Sequence, residues 1–427
     1  MSREPPRRRR KAATLRILQI NKFYDSSTAS AGGAGTYLSV VAPRLTRAGH
    51  EVLRFGCVPP QAPQAGTLPE FIDYTQLPSV FAKVRGALRI VHNADAARKL
   101  DTFLGARHID VAHVHNLYHH LTPSILPVLR RRGIPIVMSL RDHRIFCPAK
   151  HFLRGQTVCT ECLPHRWWRC VARRCAGGAA ASAAVAFETF FQRFFRRYIE
   201  NVRQFLCPSR FAADVALADG FPAGKVQVLP NPIESPPAPD GAASDGKGIL
   251  YVGRLSPEKG PDLILELAEA FGDTPVTIVG DGPAGEDLRR QAEQRRLGHI
   301  TWVGHVRRQH LGRYYARAAV VVVPSRCFEV SPHVMLEAML AGRAVVGPNH
   351  GPISEWITDG RTGRLFRPND STDLVRVVGE VLADPAGRAR MGAAAVEVIR
   401  RRHDPERIVA RLMRIYQQLA DGDGRVS

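Results

Sequence analysis

Two hydrophobic periods alternate along the chain. Short apolar runs bounded by Gly, Pro or Asn are followed by stretches in which apolar residues return every third or fourth position. The first kind reads as buried strand and the second as amphipathic helix. Leu15 to Asn21 predicts a strand, Gly32-Gly33-Ala34-Gly35 a Gly-rich loop, Tyr37 to Ala48 a helix ended by Gly49-His50, and Glu51 to Phe55 a second strand. Strand, loop, helix and strand make one βαβ unit. The pattern returns in the strands Asp110 to His115 and Ile134 to Leu140 around a helix at Ser124 to Arg132. It returns again in Phe205 to Ser209 and Val226 to Leu229 around a helix at Phe211 to Ala218. A run rich in Pro, Gly and Ser, Pro236 to Gly248, then breaks the pattern as an interdomain linker does.

The second half repeats the theme. Strands are predicted at Gly248 to Gly253, Pro275 to Val279, Ile300 to Val303, Ala318 to Val323 and Ala344 to Gly347. Helices are predicted at Gly260 to Phe271, Gly285 to Arg296, Val334 to Ala341 and along Ala386 to Leu419. Ala318 to Val323 shows no alternation, as expected of a strand covered on both faces of a parallel sheet. The predicted fold class is α/β: two doubly wound Rossmann-like domains with a cleft between them, where ligands sit at the carboxyl ends of the strands. The expected division is a basic tail over residues 1–13, a first domain over 14–234, a linker over 235–247, a second domain over 248–400, and a C-terminal helix over 401–420 packing back on the first domain.

Length and composition fit this picture. A chain of 427 residues, 44% hydrophobic and 23% charged, is too long for one core and suits two. Collagen, coiled-coil and disulfide-scaffold classes are excluded by the Gly, heptad and Cys content. The best spanning candidate, Gly177 to Phe187, is half the length a membrane helix needs. No apolar stretch of signal-peptide length follows the basic tail, so the expected location is cytoplasmic. The net charge is +21, and fifteen basic against four acidic residues between Arg130 and Arg203 supply about half of it. Such a patch attracts phosphates, whether of nucleic acid, anionic lipid or a small polyanion, unless it is only a solvated face.

Candidate chemistry concentrates in the second half. Glu329-Val-Ser-Pro-His-Val-Met-Leu-Glu337 brackets a helix start just after a buried strand. Free N–H groups there favour an anion, and a carboxylate such as Glu337 suits a vicinal diol. Arg254 and Lys259 lie between Gly253 and Gly260 after the domain's first strand. Two cations at that place can hold a diphosphate and stabilise it as a leaving group.

These motifs, with Gly280-Asp-Gly-Pro283, Val303-Gly304-His305-Val306, Glu355, Asp359-Gly360, Asn231-Pro232-Ile233 and Gly49-His50-Glu-Val52, resemble the retaining glycosyltransferases of family 4, which have the GT-B fold. The likeness keeps its order over roughly residues 14 to 400. It implies a nucleotide-diphosphate sugar as donor, retained configuration, a glycan, lipid-linked or small-molecule acceptor, and no catalytic metal. By the same resemblance Arg254 and Lys259 bind the diphosphate, Glu329 meets the donor sugar and Glu337 the ribose. Gly304, His305 and Val306 then touch the base, Pro332, His333 and Val334 line the donor pocket, and Gly32 and Gly33 lie near the phosphates and acceptor. Two departures stand out. Ser331-Pro332 replaces the usual Phe-Gly. Aligned on Cys147-Pro148, Arg141 stands where the family carries His and His143 where it carries an aromatic, leaving Asp142 with Arg141 or His143 as the candidate pair of the first domain.

Five of the eight cysteines fall in residues 147–175, with a C-x₂-C step at Cys159 and Cys162. In a cytoplasmic chain this favours metal over disulfide: structural zinc, an iron–sulfur cluster, or else reduced thiols. A subgroup of the resembled family carries a similar insert, and that likeness implies Cys147, Cys159, Cys162 and Cys175 as zinc ligands. The insert is expected to overhang the acceptor side. After it, Phe187, Phe190, Phe191, Phe194, Phe195 and Tyr198 recur at helical spacing among arginines. The plainer expectation puts these rings in the core; the other is peripheral contact with an anionic membrane on its inner face. The competing functions are a sugar-nucleotide epimerase, a zinc-containing nucleic-acid-binding protein and an inactive GT-B protein. With the transferase reading, no nucleic-acid partner is expected.

Overall fold

The computed structural model describes residues 14–23, 32–57, 68, 86, 88–234 and 246–422. The basic tail and nearly all of the predicted linker lie outside them. The first parallel sheet contains β1 (Arg16–Phe23), β2 (Glu51–Cys57), β3 (Val111–Val114), β4 (Ile136–Ser139), β7 (Gln204–Cys207) and β8 (Val226–Val228), in the order β2-β1-β3-β4-β7-β8. A small antiparallel hairpin, β5 (Leu153–Arg154) and β6 (Thr157–Val158), belongs to the cysteine insert. The second parallel sheet holds β9 (Ile249–Val252), β10 (Val276–Val279), β11 (Ile300–Gly304), β12 (Val320–Val322), β13 (Ala344–Pro348) and β14 (Arg364–Phe366), ordered β11-β10-β9-β12-β13-β14. In each sheet the first strand pairs on both sides, so the winding reverses there and leaves a crevice beyond its carboxyl end.

The central strands are covered on both faces, which is why they read as unbroken apolar runs. Val320, Val321 and Val322 are fully buried, the outer two in one core cluster and the middle one in the other. In the first half, Leu18 and Ile20 face one cluster and Ile17 the opposite one. That opposite cluster is closed by helix α1 (Gly32–Arg47) and by the last helix, α6 (Pro405–Ala420). Tyr416 on α6 is fully buried, and its hydroxyl meets His113 and accepts from Gln19 Nε2 at 3.3 Å. The chain's end therefore returns from the second half to the first.

Three sequence expectations change. The Gly-rich run is not a loop: α1 begins at Gly32, five residues before the predicted start. The predicted C-terminal helix is two helices, α5 (Pro385–His403) and α6, because Asp404-Pro405 ends one and caps the next. The aromatic helix α2 (Ala179–Phe194) turns its rings outward: it buries Ser182, Glu188 and Gln192, exposes Phe187 and Phe194 and leaves Phe190 and Phe191 half-buried, and of the six rings Tyr198, beyond the helix, is the one that lies in the core. Among the described residues no helix is long and apolar enough to cross a membrane.

Candidate active site

The loops at the carboxyl ends of both sheets enclose a cavity of about 350 Å³. The second half supplies most of its wall. After β9 the chain makes a short 3₁₀ turn, Pro257–Lys259, capped by Gly260 at φ 63°. A Cβ at Gly260 would collide with the Pro324 carbonyl oxygen, so only glycine lets this turn press against the loop after β12. That approach brings Lys259 Nζ to 2.6 Å from Glu329 Oε1, which also accepts from Ser325 Oγ at 2.7 Å. Burial alone would lower the Lys259 pKa, but the Glu329 carboxylate outweighs it and holds the ammonium above its ordinary value. Burial likewise works to raise Glu329, and Lys259 overrides it, so the carboxylate sits below its ordinary range. Both groups are charged at neutral pH.

Helix α4 (His333–Leu340) starts at the cavity wall behind Pro332, with no side-chain cap on its first N–H groups. An uncapped helix start facing a cavity with Lys259 and Arg254 is an anion site. One turn into α4, Glu337 is only 2% exposed. Its Oε1 accepts from Arg308 Nε at 2.6 Å and its Oε2 from the Tyr315 hydroxyl at 3.2 Å. Burial pushes its pKa up, and Arg308 opposes that push.

The first half contributes Gly33, Arg141, Asp142, His143, Lys150 and His151. Gly33 lies in the first turn of α1, where an added Cβ would come within 3.7 Å of the His333 ring. Arg141 stacks 3.5 Å above the Tyr37 ring, donates to Asn231 Oδ1 at 2.7 Å and to His115 Nδ1 at 3.2 Å. Asn231 in turn lies 3.2 Å from His333 Nε2. Arg141 is therefore a structural tie between the halves as well as a cavity wall. Burial lowers its pKa to about 10, which leaves it charged. His143 reaches the Glu329 carbonyl at 3.4 Å, and burial pulls its pKa down to about 4, so the ring is neutral. Burial raises Asp142.

The cavity thus unites Arg254, Lys259, Glu329, Asp142, His143, Gly33, Pro332, His333 and Val334. It does not reach Gly304, His305, Val306 or Glu337. Gly304 ends β11, His305 is exposed, and Glu337 lies behind Arg308 and Tyr315. Gly32 opens α1. Sequence reasoning missed Lys150, His151, Ser325, Arg308 and Asn231's side chain. No motif marks Arg308; its role appears only when the loop after β11 folds over α4.

The expected zinc set is not supported. Among the described residues no group of three or more His, Cys, Asp or Glu side chains is placed to hold a metal ion. Cys147, Cys159, Cys162 and Cys175 are neighbours of Cys170. Burial, with the adjoining thiols, pushes Cys162 and Cys170 up to about 12 and raises Cys147 and Cys175 too. All eight cysteines are free.

Comparison with known proteins agrees with the fold. Residues 235–398 match Glycosyl transferases group 1, and residues 31–235 match Glycosyltransferase Family 4. The chain is 30% identical over 208 residues to a GDP-mannose-dependent alpha-(1-6)-phosphatidylinositol monomannoside mannosyltransferase of Mycolicibacterium smegmatis, covering 44% of this chain and 53% of that one. It is 30% identical over 225 residues to a glycogen synthase of Mycobacterium tuberculosis, covering 51% and 54%. The chain thus spans about half the length of these curated relatives. Among solved structures, a sucrose-phosphate synthase of Thermosynechococcus elongatus superposes with a TM-score of 0.72 at 21% identity, over 96% of this chain and all of that one. Anabaena HepE, solved with UDP and glucose, gives 0.64 at 18%, over 94% and 99%.

Proposed function

From a chain that is glycosyltransferase family 4-like, with its two matched domains side by side and a GT-B fold, we propose a nucleotide-sugar-dependent glycosyltransferase that retains the configuration of the transferred sugar. The observation that carries the reading is the meeting of Lys259, Arg254, Glu329 and the open start of α4 in one interdomain cavity. In this reading the donor diphosphate lies on the α4 N–H groups, with Lys259 and Arg254 on its oxygens. Charge grows on the outer phosphate as the bond from sugar C1 to oxygen breaks, and two fixed cations stabilise that state more than the ground state. Glu329, fixed by Lys259 and Ser325, accepts from a sugar hydroxyl. The acceptor hydroxyl forms the new bond to C1 on the face the phosphate leaves, and the departing phosphate oxygen takes its proton. No protein nucleophile is required.

In this reading Glu337, which lies behind the cavity wall, takes the ribose diol by exchanging Arg308 for it, with the loop at Gly304 to Val306 framing the base. Structural neighbours solved with UDP support a nucleoside diphosphate here. The acceptor enters from the side of Asp142, His143, Lys150 and His151, and a glycan or a lipid-linked sugar fits that open face.

A thermal-shift panel of UDP, GDP, ADP and dTDP tests this on the wild type and Glu337→Ala. A ligand that binds the folded state raises its melting temperature by mass action. One nucleotide should stabilise the wild type and not the variant. Stabilisation by none of them at millimolar concentration would overturn the donor-site reading.

A further inference from the structure

Helix α2 is inside out. Its buried residues are Ser182, Ala186, Glu188 and Gln192, three of them polar. Each polar one has a partner beneath the helix. Ser182 Oγ accepts from the Ala176 N–H at 3.0 Å, Gln192 Nε2 donates to the Val91 carbonyl at 2.7 Å, and Glu188 lies 3.6 Å from Arg144. Arg193 turns inward too, onto Asp219. The apolar side chains take the outside: Phe187 is 51% exposed, Phe194 66% and Phe195 48%. The rings form one connected face. Phe190 lies 5.5 Å from Phe194, Phe191 4.6 Å from Phe195, and Phe194 5.2 Å from Phe195. Leu88, 65% exposed, extends it across a shallow cleft shared with Phe187 and Phe191.

A helix on a water-soluble surface normally shows water its polar side, so this orientation costs solvation that something outside must return. The charge at the margin says what. Arg197 lies 5.7 Å over the Phe195 ring, and Arg196 is exposed, in the most basic part of the chain. Aromatic rings flanked by arginines match the boundary of an anionic bilayer, where rings enter below the headgroups and guanidiniums meet lipid phosphates.

We propose that the outer face of α2, from Phe187 to Arg197, docks the protein on an anionic lipid bilayer. The inner face of the same helix touches Arg144, two residues from Asp142, so the docking face lies one helix away from the first-half wall of the cavity. The proposal does not depend on the transferase reading, because lipid binding is measured without donor or acceptor.

Flotation of the full chain with vesicles tests it, using phosphatidylcholine alone against phosphatidylcholine and phosphatidylglycerol in equal parts. The wild type should float with the anionic vesicles and much less with the neutral ones. Phe194→Ser with Phe195→Ser should weaken that binding by about tenfold or more. Arg196→Ala should weaken it by about fivefold, on anionic vesicles only. Both variants should melt as the wild type does, since the altered side chains are exposed. Wild-type binding by the Phe variant would assign the lipid to the basic N-terminal residues and overturn the proposal. So would a wild type that stays unbound, or a wild-type dimer in sedimentation that the Phe variant dissolves, which would make the face a protein interface.

Discussion

The two sheets build their halves of the cavity with opposite electrostatics. The second half presents a charge pair, Lys259 with Glu329 at 2.6 Å, and carries a second pair behind the cavity wall, Arg308 with Glu337 at 2.6 Å. The first half presents groups whose titration burial suppresses. His143 in the wall is pulled to about 4 by burial, and behind the wall His113 and His115 are fully enclosed and held well below the ordinary histidine pKa by burial, with Arg141 adding to it. A paired site is ready to exchange one partner for a phosphate or hydroxyl without moving its backbone. A packed wall in which Arg141 stays charged and the buried His143 is neutral positions groups and excludes water. On the proposed donor site, this difference puts the donor's charge partners in one half and the shaping wall in the other.

The largest effect that would break this division is expected at Lys259. On the proposed donor site Lys259→Ala removes a cation of the leaving phosphate and should lower kcat/KM by about 10²–10³-fold in a coupled nucleotide-release assay. A loss below tenfold would move the developing charge elsewhere.

The next test concerns the first half and pH. His143 has its pKa depressed from 6.5 to about 4 by burial, so the unfolded chain binds the proton first as pH falls. Its contribution is fully present above pH 6.5 and is lost as pH drops toward 4, by about 3 kcal/mol at most. In chemical denaturation at pH 7 and pH 4, His143→Gln should lose less stability between the two than the wild type does. An unchanged difference would mean the ring titrates normally.

Smaller effects sharpen the boundary. With Glu337 on the ribose as proposed, Glu337→Ala should raise the donor KM by about tenfold or more with little change in kcat, because such a contact is the same in ground and transition states. A fall in kcat alone would put Glu337 in the chemistry. Across the two halves, Glu355 accepts from the Arg210 and Phe211 N–H groups at 3.0 and 3.1 Å, capping the helix Arg210–Ala218. Glu355→Ala should cost about 1 kcal/mol in thermal unfolding, as loss of a helix cap does, and no shift in melting temperature would show the halves held without it.

The same asymmetry explains what the sequence made legible. Strand positions in both halves follow from apolar runs that parallel burial requires, and Val320 to Val322 is the clearest of them. Lys259, Glu329 and Glu337 were readable because a strand end, a glycine turn and a helix start fix them at short range. The first-half wall was not, since Arg141 meets Tyr37, His115 and Asn231 across 104, 26 and 90 positions of chain, and no local spacing encodes such meetings. The cysteine spacing suggested zinc, but a C-x₂-C step does not say how the remaining thiols are placed, and among the described residues no three such side chains are placed to hold a metal ion. Helix α2 misled for another reason. A period of 3.6 shows which residues share a face but not which face turns inward, and Glu188 with Gln192 claimed the inside through Arg144 and the Val91 carbonyl.

The division between the halves is tested most directly by titrating the nucleoside diphosphate that stabilises the wild type into three proteins by calorimetry: wild type, Lys259→Ala and Asp142→Asn. The account predicts that Lys259→Ala loses most of the affinity while Asp142→Asn binds the diphosphate as the wild type does. Equal losses in both variants, or a loss confined to Asp142→Asn, would contradict it.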